Sequence, residues 1–214
     1  MAVALKLAKY PVEGVPPLKF QALFNPILQS IDFNLTSYHQ YDIGSHSFSV
    51  GSKTTILFFL SLYGFGDFRY IHAFKDNSHT TIATKTKYRK FVNSSLLGGN
   101  YISHHKQEKE NAYVDYKIKK LILNPYFSPL MASDEELSRL PNTYITVSEY
   151  TVVRDEGMIL AERLMKLNHT VKYSYLEGMS DGIFRYVEFK RFNEEYKRLA
   201  VYINATFERS RSYS

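Results

Sequence analysis

The sequence has no cysteine and no tryptophan among its 214 residues. The absence of cysteine excludes disulfides, thiolate metal sites and a cysteine nucleophile. Long apolar runs are also missing, because the longest, residues 56–63, falls well short of the roughly 20 residues of a membrane span. The opening segment MAVALKLA is too short and wrongly flanked for a signal peptide. These absences indicate an ordinary globular chain, long enough for one domain with a substantial core.

The sequence is rich in ring side chains, with 18 tyrosines and 15 phenylalanines, and it carries a formal net charge of +6. Basic residues cluster in KTKYRK at 85–90 and in KIKK at 117–120. Such clusters beside tyrosines suit nucleic acid or an anionic membrane. Acidic residues are mixed through the same region, which favours a solvated rim. We therefore expect no nucleic-acid partner.

The clearest pattern in the chain is a strand, a helix and a second strand. Residues 142–148 and 171–176 alternate in the period of two that a strand requires, and residues 156–167 place apolar side chains on one helical face. In that helix the charged residues, Arg163 among them, are predicted to lie largely away from the apolar face. The order predicts an α/β fold with a right-handed parallel crossover.

The remaining segments fit the same architecture. Residues 1–9 predict a helix, residues 18–28 a buried central strand, and residues 182–205 an amphipathic terminal helix. Residues 208–214 are expected to be a disordered tail. The carboxyl ends of the strands are where an open α/β sheet places its functional residues, so the loops that follow them are the candidate site.

Two loops carry a family resemblance. EYTVVRDEG at 149–157 and YLEGMSDGIF at 175–184 resemble the acid and base loops of the hormone-sensitive-lipase branch of α/β hydrolases, and within it the arylacetamide deacetylase-like proteins. FQALFNPILQ at 20–29, KFVNSSLL at 90–97 and NPYFSPLMA at 124–132 follow in family-like order and spacing. The match covers nearly the whole chain, but only the C-terminal half of such a protein.

The resemblance implies the C-terminal part of an α/β-hydrolase fold, a mostly parallel sheet with flanking helices, as one partial domain over residues 1–214. It implies a cap over residues 30–120 that covers an acyl pocket; an insertion without lid function is the alternative. The implied family reaction is hydrolysis of carboxylic esters or amides, without cofactor or metal. The family is anchored at the lumenal side of the endoplasmic reticulum membrane by an N-terminal segment that these residues do not contain.

The same resemblance locates the catalytic positions. In the family, the nucleophile turn and the oxyanion loop precede the part of the protein that this chain matches. The acid position of the family motif falls on Thr151 and the base position on Asp181. Threonine carries no charge to stabilise an imidazolium, and aspartate is a poor proton acceptor beside imidazole. Asp155 is a substitute candidate for the acid, although its ordinary role there is to cap the following helix.

Ser180 offers a competing interpretation, because GMSDG at 178–182 satisfies the G-x-S-x-G pattern of a nucleophile turn. That fold needs the acid and then the histidine later in the chain, whereas the last histidine, His169, lies upstream. The seven histidines show no metal-ligand spacing, so no metal site is expected. Four sequons are candidate glycosylation sites in a secretory lumen, at Asn34, Asn93, Asn168 and Asn204.

The sequence therefore predicts a catalytically inactive fragment or pseudoenzyme of an esterase family. The alternative is a non-enzymatic module that binds a lipid, an apolar ester or a protein through its aromatic cap. We also expect the strand over residues 18–28 to expose an apolar edge that a partner chain covers.

Overall fold

The computed structural model describes residues 1–41, 51–92, 94–97, 109–182 and 190–211. Three strands form one parallel sheet in the order β1-β2-β3: β1 Phe20–Phe24, β2 Asn142–Tyr150 and β3 Val171–Ser180. Nine helices flank or cover the sheet within the described residues: α1 Ala2–Lys9, α2 Thr36–Gln40, α3 Lys53–Phe65, α4 Ile71–Lys75, α5 Ile82–Val92, α6 Ala112–Ile122, α7 Asp134–Ser138, α8 Arg154–Lys166 and α9 Lys190–Arg211. The parallel β2–α8–β3 unit confirms the predicted crossover.

The two faces of β2 pack against different helices. Ile145 and Val147 belong to the main hydrophobic core, into which α8 packs. On the other face, the hydroxyls of Tyr144 and Thr146 donate to the buried carboxylate of Glu195 in α9, at 2.7 and 2.9 Å. The alternation of β2 thus joins the sheet to an apolar layer on one side and to a buried carboxylate on the other.

The strands differ in length from the sequence prediction. β1 is shorter than residues 18–28, because Asn25 adopts a left-handed backbone with φ 42° and its side chain bonds both the backbone N–H and the hydroxyl of Ser148. β2 and β3 run further than predicted, to Tyr150 and Ser180. Within the described residues β2 is the only strand paired with β1, so the other side of β1 forms an edge.

Two further expectations were wrong. The helix α9 continues to Arg211, so residues 208–211 are helical rather than part of a disordered tail. Arg163 is buried instead of lying away from the apolar face of α8. Its guanidinium donates to the carbonyls of Leu130 and Ala132 and pairs with Asp134 at 2.7 Å, which satisfies the charge inside the protein.

Helices α2–α6 lie in the stretch predicted to be the cap. Tyr38, Leu57, Phe74 and Ile118 from these helices, and Phe33 from the turn before α2, belong to the same hydrophobic core as the sheet and α8. The segment from which they come is therefore packed onto the sheet rather than separate from it. No helix in the described part of the chain is long and apolar enough to cross a membrane.

Gly157 sets how closely α8 approaches the sheet. A Cβ built at this position would lie 2.5 Å from a Cγ of Val147, closer than real Cβ contacts. We expect Gly157→Ala to destabilise the protein by about 1–3 kcal/mol through overpacking, despite the helix preference of alanine. In a Val147→Ala background the contact is gone, so the same substitution should stabilise by up to ~1 kcal/mol. Urea unfolding of the four variants measures this coupling, and equal destabilisation in both backgrounds would contradict it.

Candidate functional site at the carboxyl end of the sheet

The strand register brings the two family positions together. Tyr150 of β2 is paired with Ser180 of β3, so Thr151 and Asp181 each follow a paired residue at the same edge of the sheet. Thr151 is fully buried and Asp181 is half-buried. Gly51 also lies here, because a Cβ at that position would be 3.7 Å from a carboxylate oxygen of Asp181. The structure thus brings Thr151 and Asp181, the two positions that the resemblance assigns to the acid and the base, to the carboxyl ends of neighbouring strands.

Thr151 offers a neutral hydroxyl at the position that the family resemblance assigns to the acid. Its Oγ1 is buried and makes no hydrogen bond with any residue that the structure describes. A hydroxyl can orient a neighbouring group, but it cannot balance the positive charge of an imidazolium. Thr151 therefore adds no negative charge to this end of the sheet.

Asp155 is held in place by other groups. One carboxylate oxygen accepts from the backbone N–H of Ser37 at 2.9 Å, and the other accepts from the Nε of Arg154 at 2.9 Å. The carboxylate is wholly buried. Ser37 is the second residue of α2, so Asp155 stabilises the N-terminus of α2. The expectation that it caps its own helix was wrong, since α8 begins after Val153 without a side-chain cap.

Glu156 is the centre of a second buried network that sequence reasoning missed. Its carboxylate accepts from the backbone N–H groups of Leu28 and Gln29, from the side-chain amide of Gln29 and from the hydroxyl of Tyr38. Burial raises the pKa of Glu156 to about 7, although these hydrogen bonds favour the charged form. The signal was present as three consecutive polar residues, RDE, at the start of a helix that must pack on a sheet.

Further contacts join the loop after β2 to α2 and to Tyr41, at the start of the stretch predicted to be the cap. The hydroxyl of Ser37 donates to the carbonyl of Val152 at 2.7 Å. Arg154 donates to the hydroxyl of Tyr41 at 2.9 Å and lies over its ring, which in turn meets Tyr150 edge-on. The loop that carries Thr151 is therefore fixed by Ser37 in α2 and by Tyr41, the residue that follows α2.

Ser180 does not lie on a strained turn. It is the last residue of β3, and the non-glycine residues with positive φ in the described chain are Asn25, Asn77 and Asn168. Within the GMSDG motif the left-handed residue is Gly178, whose N–H donates to Glu149 at 2.7 Å. This backbone differs from the strand-to-helix turn that exposes a nucleophile.

The described histidines lie on several different elements. His169 precedes β3 and contacts the carbonyl of Leu140, at the opposite end of the sheet. His79 is buried with its Nε2 2.9 Å from the carbonyl of Ser30, and burial lowers its pKa to about 4. His39 contacts Asn34, and His72 lies on α4. His46, His104 and His105 fall outside the described residues.

The other predicted sites have mixed surroundings. Asn34 is buried at 6% exposure, which is incompatible with a bulky glycan in the folded protein. Asn168 and Asn204 are exposed, in a turn and in α9, whereas Asn93 lies outside the described residues. Glycosylation stays a prediction at these three. Among the described side chains, no group of three or more histidine and acidic residues could hold a metal ion.

A sequence profile of the alpha/beta hydrolase fold family matches residues 71–185, more than half of the chain. The chain belongs to this family. Arylacetamide deacetylase of Bos taurus is 33% identical over 87% of this chain and 46% of its own length, and neutral cholesterol ester hydrolase 1 of Mus musculus is 32% identical over 77% and 41%. These matches confirm the resemblance to arylacetamide deacetylase-like proteins.

Solved esterases show the same fold. A fungal esterase from Rhizomucor miehei superposes with a TM-score of 0.59 at 13% identity, over 98% of this chain and 48% of its own. The esterase of Pyrobaculum calidifontis superposes with a TM-score of 0.53 at 16% identity, over 95% and 48%. The α/β-hydrolase fold is thereby confirmed. The chain spans about half the length of the relatives it matches.

The raised pKa of Glu156 predicts a pH-dependent stability. The folded state binds the proton more tightly than the unfolded state, so the favourable contribution is complete below pH ~4.5 and is lost as pH rises through about 7. The loss amounts to roughly 3 kcal/mol. We expect the free energy of unfolding to fall over this interval in the wild type and to change less in Glu156→Gln.

Urea titrations at several pH values between 4 and 8 check the prediction. Glu162→Gln, on the same helix, is the matched control and should keep the wild-type slope. A constant difference between wild type and Glu156→Gln at every pH would show that the carboxyl of Glu156 does not titrate in this range.

Proposed function

We propose that this chain corresponds to the acid- and base-bearing part of an esterase-type α/β hydrolase in which these two positions no longer support hydrolysis. The observation that carries the proposal is the pairing of Tyr150 with Ser180, which puts Thr151 and Asp181 next to each other at the functional edge. The substrate class of the family reaction would be carboxylic esters or amides with apolar acyl groups.

The chemistry of the two side chains supports inactivity. A serine nucleophile requires a base that takes its proton and an anion that stabilises the protonated base. Aspartate, with an ordinary pKa of ~3.9, holds the proton of a serine hydroxyl poorly near neutral pH. Thr151 supplies no anion, and Asp155 is engaged by Ser37 and Arg154. Neither role of the pair is filled.

A chimera tests the assignment directly. The segment of bovine arylacetamide deacetylase that precedes the matched region would be joined to this chain, with the wild-type residues and with Thr151→Asp plus Asp181→His. We expect the wild-type chimera to be inactive on p-nitrophenyl acetate and butyrate. The double variant should gain at least ~10³-fold, since triad members act as a unit.

The controls separate inactivity from misfolding. Circular dichroism and thermal unfolding should be the same for the two chimeras, and Ser180→Ala in the double variant should leave its rate unchanged. Hydrolysis by the wild-type chimera would contradict the proposal. Fluorophosphonate labelling of the chain itself that is lost in Ser180→Ala would show instead that Ser180 is a nucleophile.

We also propose that the edge of β1 is covered by another polypeptide segment. A strand edge presents backbone groups that pair readily with a further strand. Val3 of α1 and Val201 of α9, on helices that flank the sheet, are both more than two-thirds exposed. We expect light scattering of the purified chain to show self-association. A monomer with a sharp cooperative thermal transition would contradict this expectation.

A further inference from the structure

The outward face of α3 is apolar and aromatic. Phe58, Phe59, Leu62 and Tyr63 are exposed on it, Tyr63 by 76%, and they recur at the spacing of one helical face. Phe68, which follows the helix and is also exposed, stacks on Phe58 with ring centroids 4.3 Å apart. Single exposed apolar residues are normal on proteins, but a contiguous group of this size indicates a binding surface.

Both faces of α3 are apolar. Ile56, Leu57 and Leu60 on the inner face are buried in the core. No charged residue occurs in the sequence between Lys53 and Asp67. Because the inner face of α3 packs into the core, the position of the exposed rings on the outer face is fixed. We call the group Phe58, Phe59, Leu62, Tyr63 and Phe68 the aromatic face.

The chain segment that carries α3 is basic, and so is the segment that carries its neighbour α6. Residues 51–92 and 109–122 contain eleven lysines and arginines and four acidic residues, a net charge of +7, whereas the whole chain has +6. The helix α6 contacts α3, since a Cβ at Gly64 would lie 3.1 Å from the side chain of Leu121. Lys117 and Lys120, within one turn of Leu121, are exposed. The excess positive charge of the protein therefore lies on the segment that contains α3 and on α6, which contacts α3.

We propose that the aromatic face of α3 docks on the surface of an anionic lipid bilayer. Phenylalanine and leucine side chains gain by entering the boundary of headgroups and acyl chains, and tyrosine suits that boundary because one end of its ring is polar. Lysines beside the inserted rings are attracted to anionic headgroups. Nucleic acid would use the cations but would leave the apolar side chains of Leu62 and Phe58 in water, so the lipid surface is the better match.

This docking would place the carboxyl end of the sheet, where Asp181 lies, near the bilayer. Gly51 lies beside Asp181, and α3 begins two residues later at Lys53. The inference does not depend on whether the chain hydrolyses esters. It differs from the sequence expectation that membrane association would come only through an N-terminal anchor.

Vesicle flotation of the full chain tests the docking. Vesicles of phosphatidylcholine with phosphatidylserine should carry the wild type, and pure phosphatidylcholine vesicles should carry much less. Phe59→Ser with Tyr63→Ser should weaken the partition coefficient at least about tenfold, since each buried ring contributes more than one factor of ten in transfer. Lys117→Glu with Lys120→Glu should weaken binding to anionic vesicles only, and added salt should do the same.

Tyr10→Ser with Val12→Ser is the matched control. These two side chains, at and after the end of α1, are exposed by 57% and 52% and belong neither to the aromatic face nor to α6. The control should bind anionic vesicles within about twofold of the wild type, whereas the α3 variant should lose about tenfold. All variants would be compared by circular dichroism so that loss of fold is recognised.

Several outcomes would overturn the proposal. Wild-type protein that stays unbound in the presence of anionic vesicles would do so, as would equal losses in the α3 variant and in the Tyr10 and Val12 control. Binding of duplex DNA that outcompetes the vesicles would assign the basic surface to nucleic acid. Light scattering that shows self-association abolished by Phe59→Ser and Tyr63→Ser, without vesicle binding, would assign the face to a second copy of the chain.

Discussion

The buried carboxylates in the first turn of α8 are the interaction on which the rest of the structure depends. Asp155 and Glu156 accept hydrogen bonds from backbone N–H groups of Leu28, Gln29 and Ser37, which belong to the loop after β1 and to α2. Backbone donors in buried loops need acceptors, and leaving them unpaired is costly. Two adjacent side chains thus accept the hydrogen bonds of the backbone N–H groups in the segment that connects β1 to α2.

This arrangement links parts of the chain that are far apart in sequence. The loop containing Thr151 is fixed from one side by β2 and from the other by Ser37 and Tyr41. The position that the family resemblance assigns to the acid is consequently held by contacts on both sides. Asp155 and Glu156 thus hold this loop against α2 and the loop after β1 through buried hydrogen bonds.

Charge and exposed aromatic rings are unevenly distributed over the protein. The sheet and its flanking helices α1, α7, α8 and α9 carry little net charge, whereas the helices α3–α6 carry the positive excess and the exposed rings. A helix whose two faces are both apolar does not follow the amphipathic pattern of a surface helix. The exposed rings of α3 are therefore better explained by a function at a surface than by the stability of the isolated chain.

Local pattern in the sequence was sufficient for the elements that depend on near neighbours. Alternation predicted β2 and β3, the period of 3.6 predicted α8 and most of α9, and the strand–helix–strand order predicted their parallel pairing. The motif spacing also predicted that Thr151 and Asp181 belong to one site, because equivalent loops follow neighbouring parallel strands. The early end of β1 at Asn25 was not predictable in this way, because the side chain of Asn25 bonds the backbone N–H of Ser148 in a different strand.

Tertiary structure alone decided the roles that depend on distant partners. Asp155 could have capped its own helix, but Ser37, more than a hundred residues earlier, presents a backbone N–H to it. Arg163 was predicted to lie away from the core, yet the carbonyls of Leu130 and Ala132 make burial favourable. The sequence by itself determined the α/β class, because strand and helix periodicity are local properties of the chain, whereas the candidate positions came from motifs that resemble those of the family. Which charges are buried, and what satisfies them, was determined only when the chain had folded, because hydrogen-bond partners are set by proximity in space.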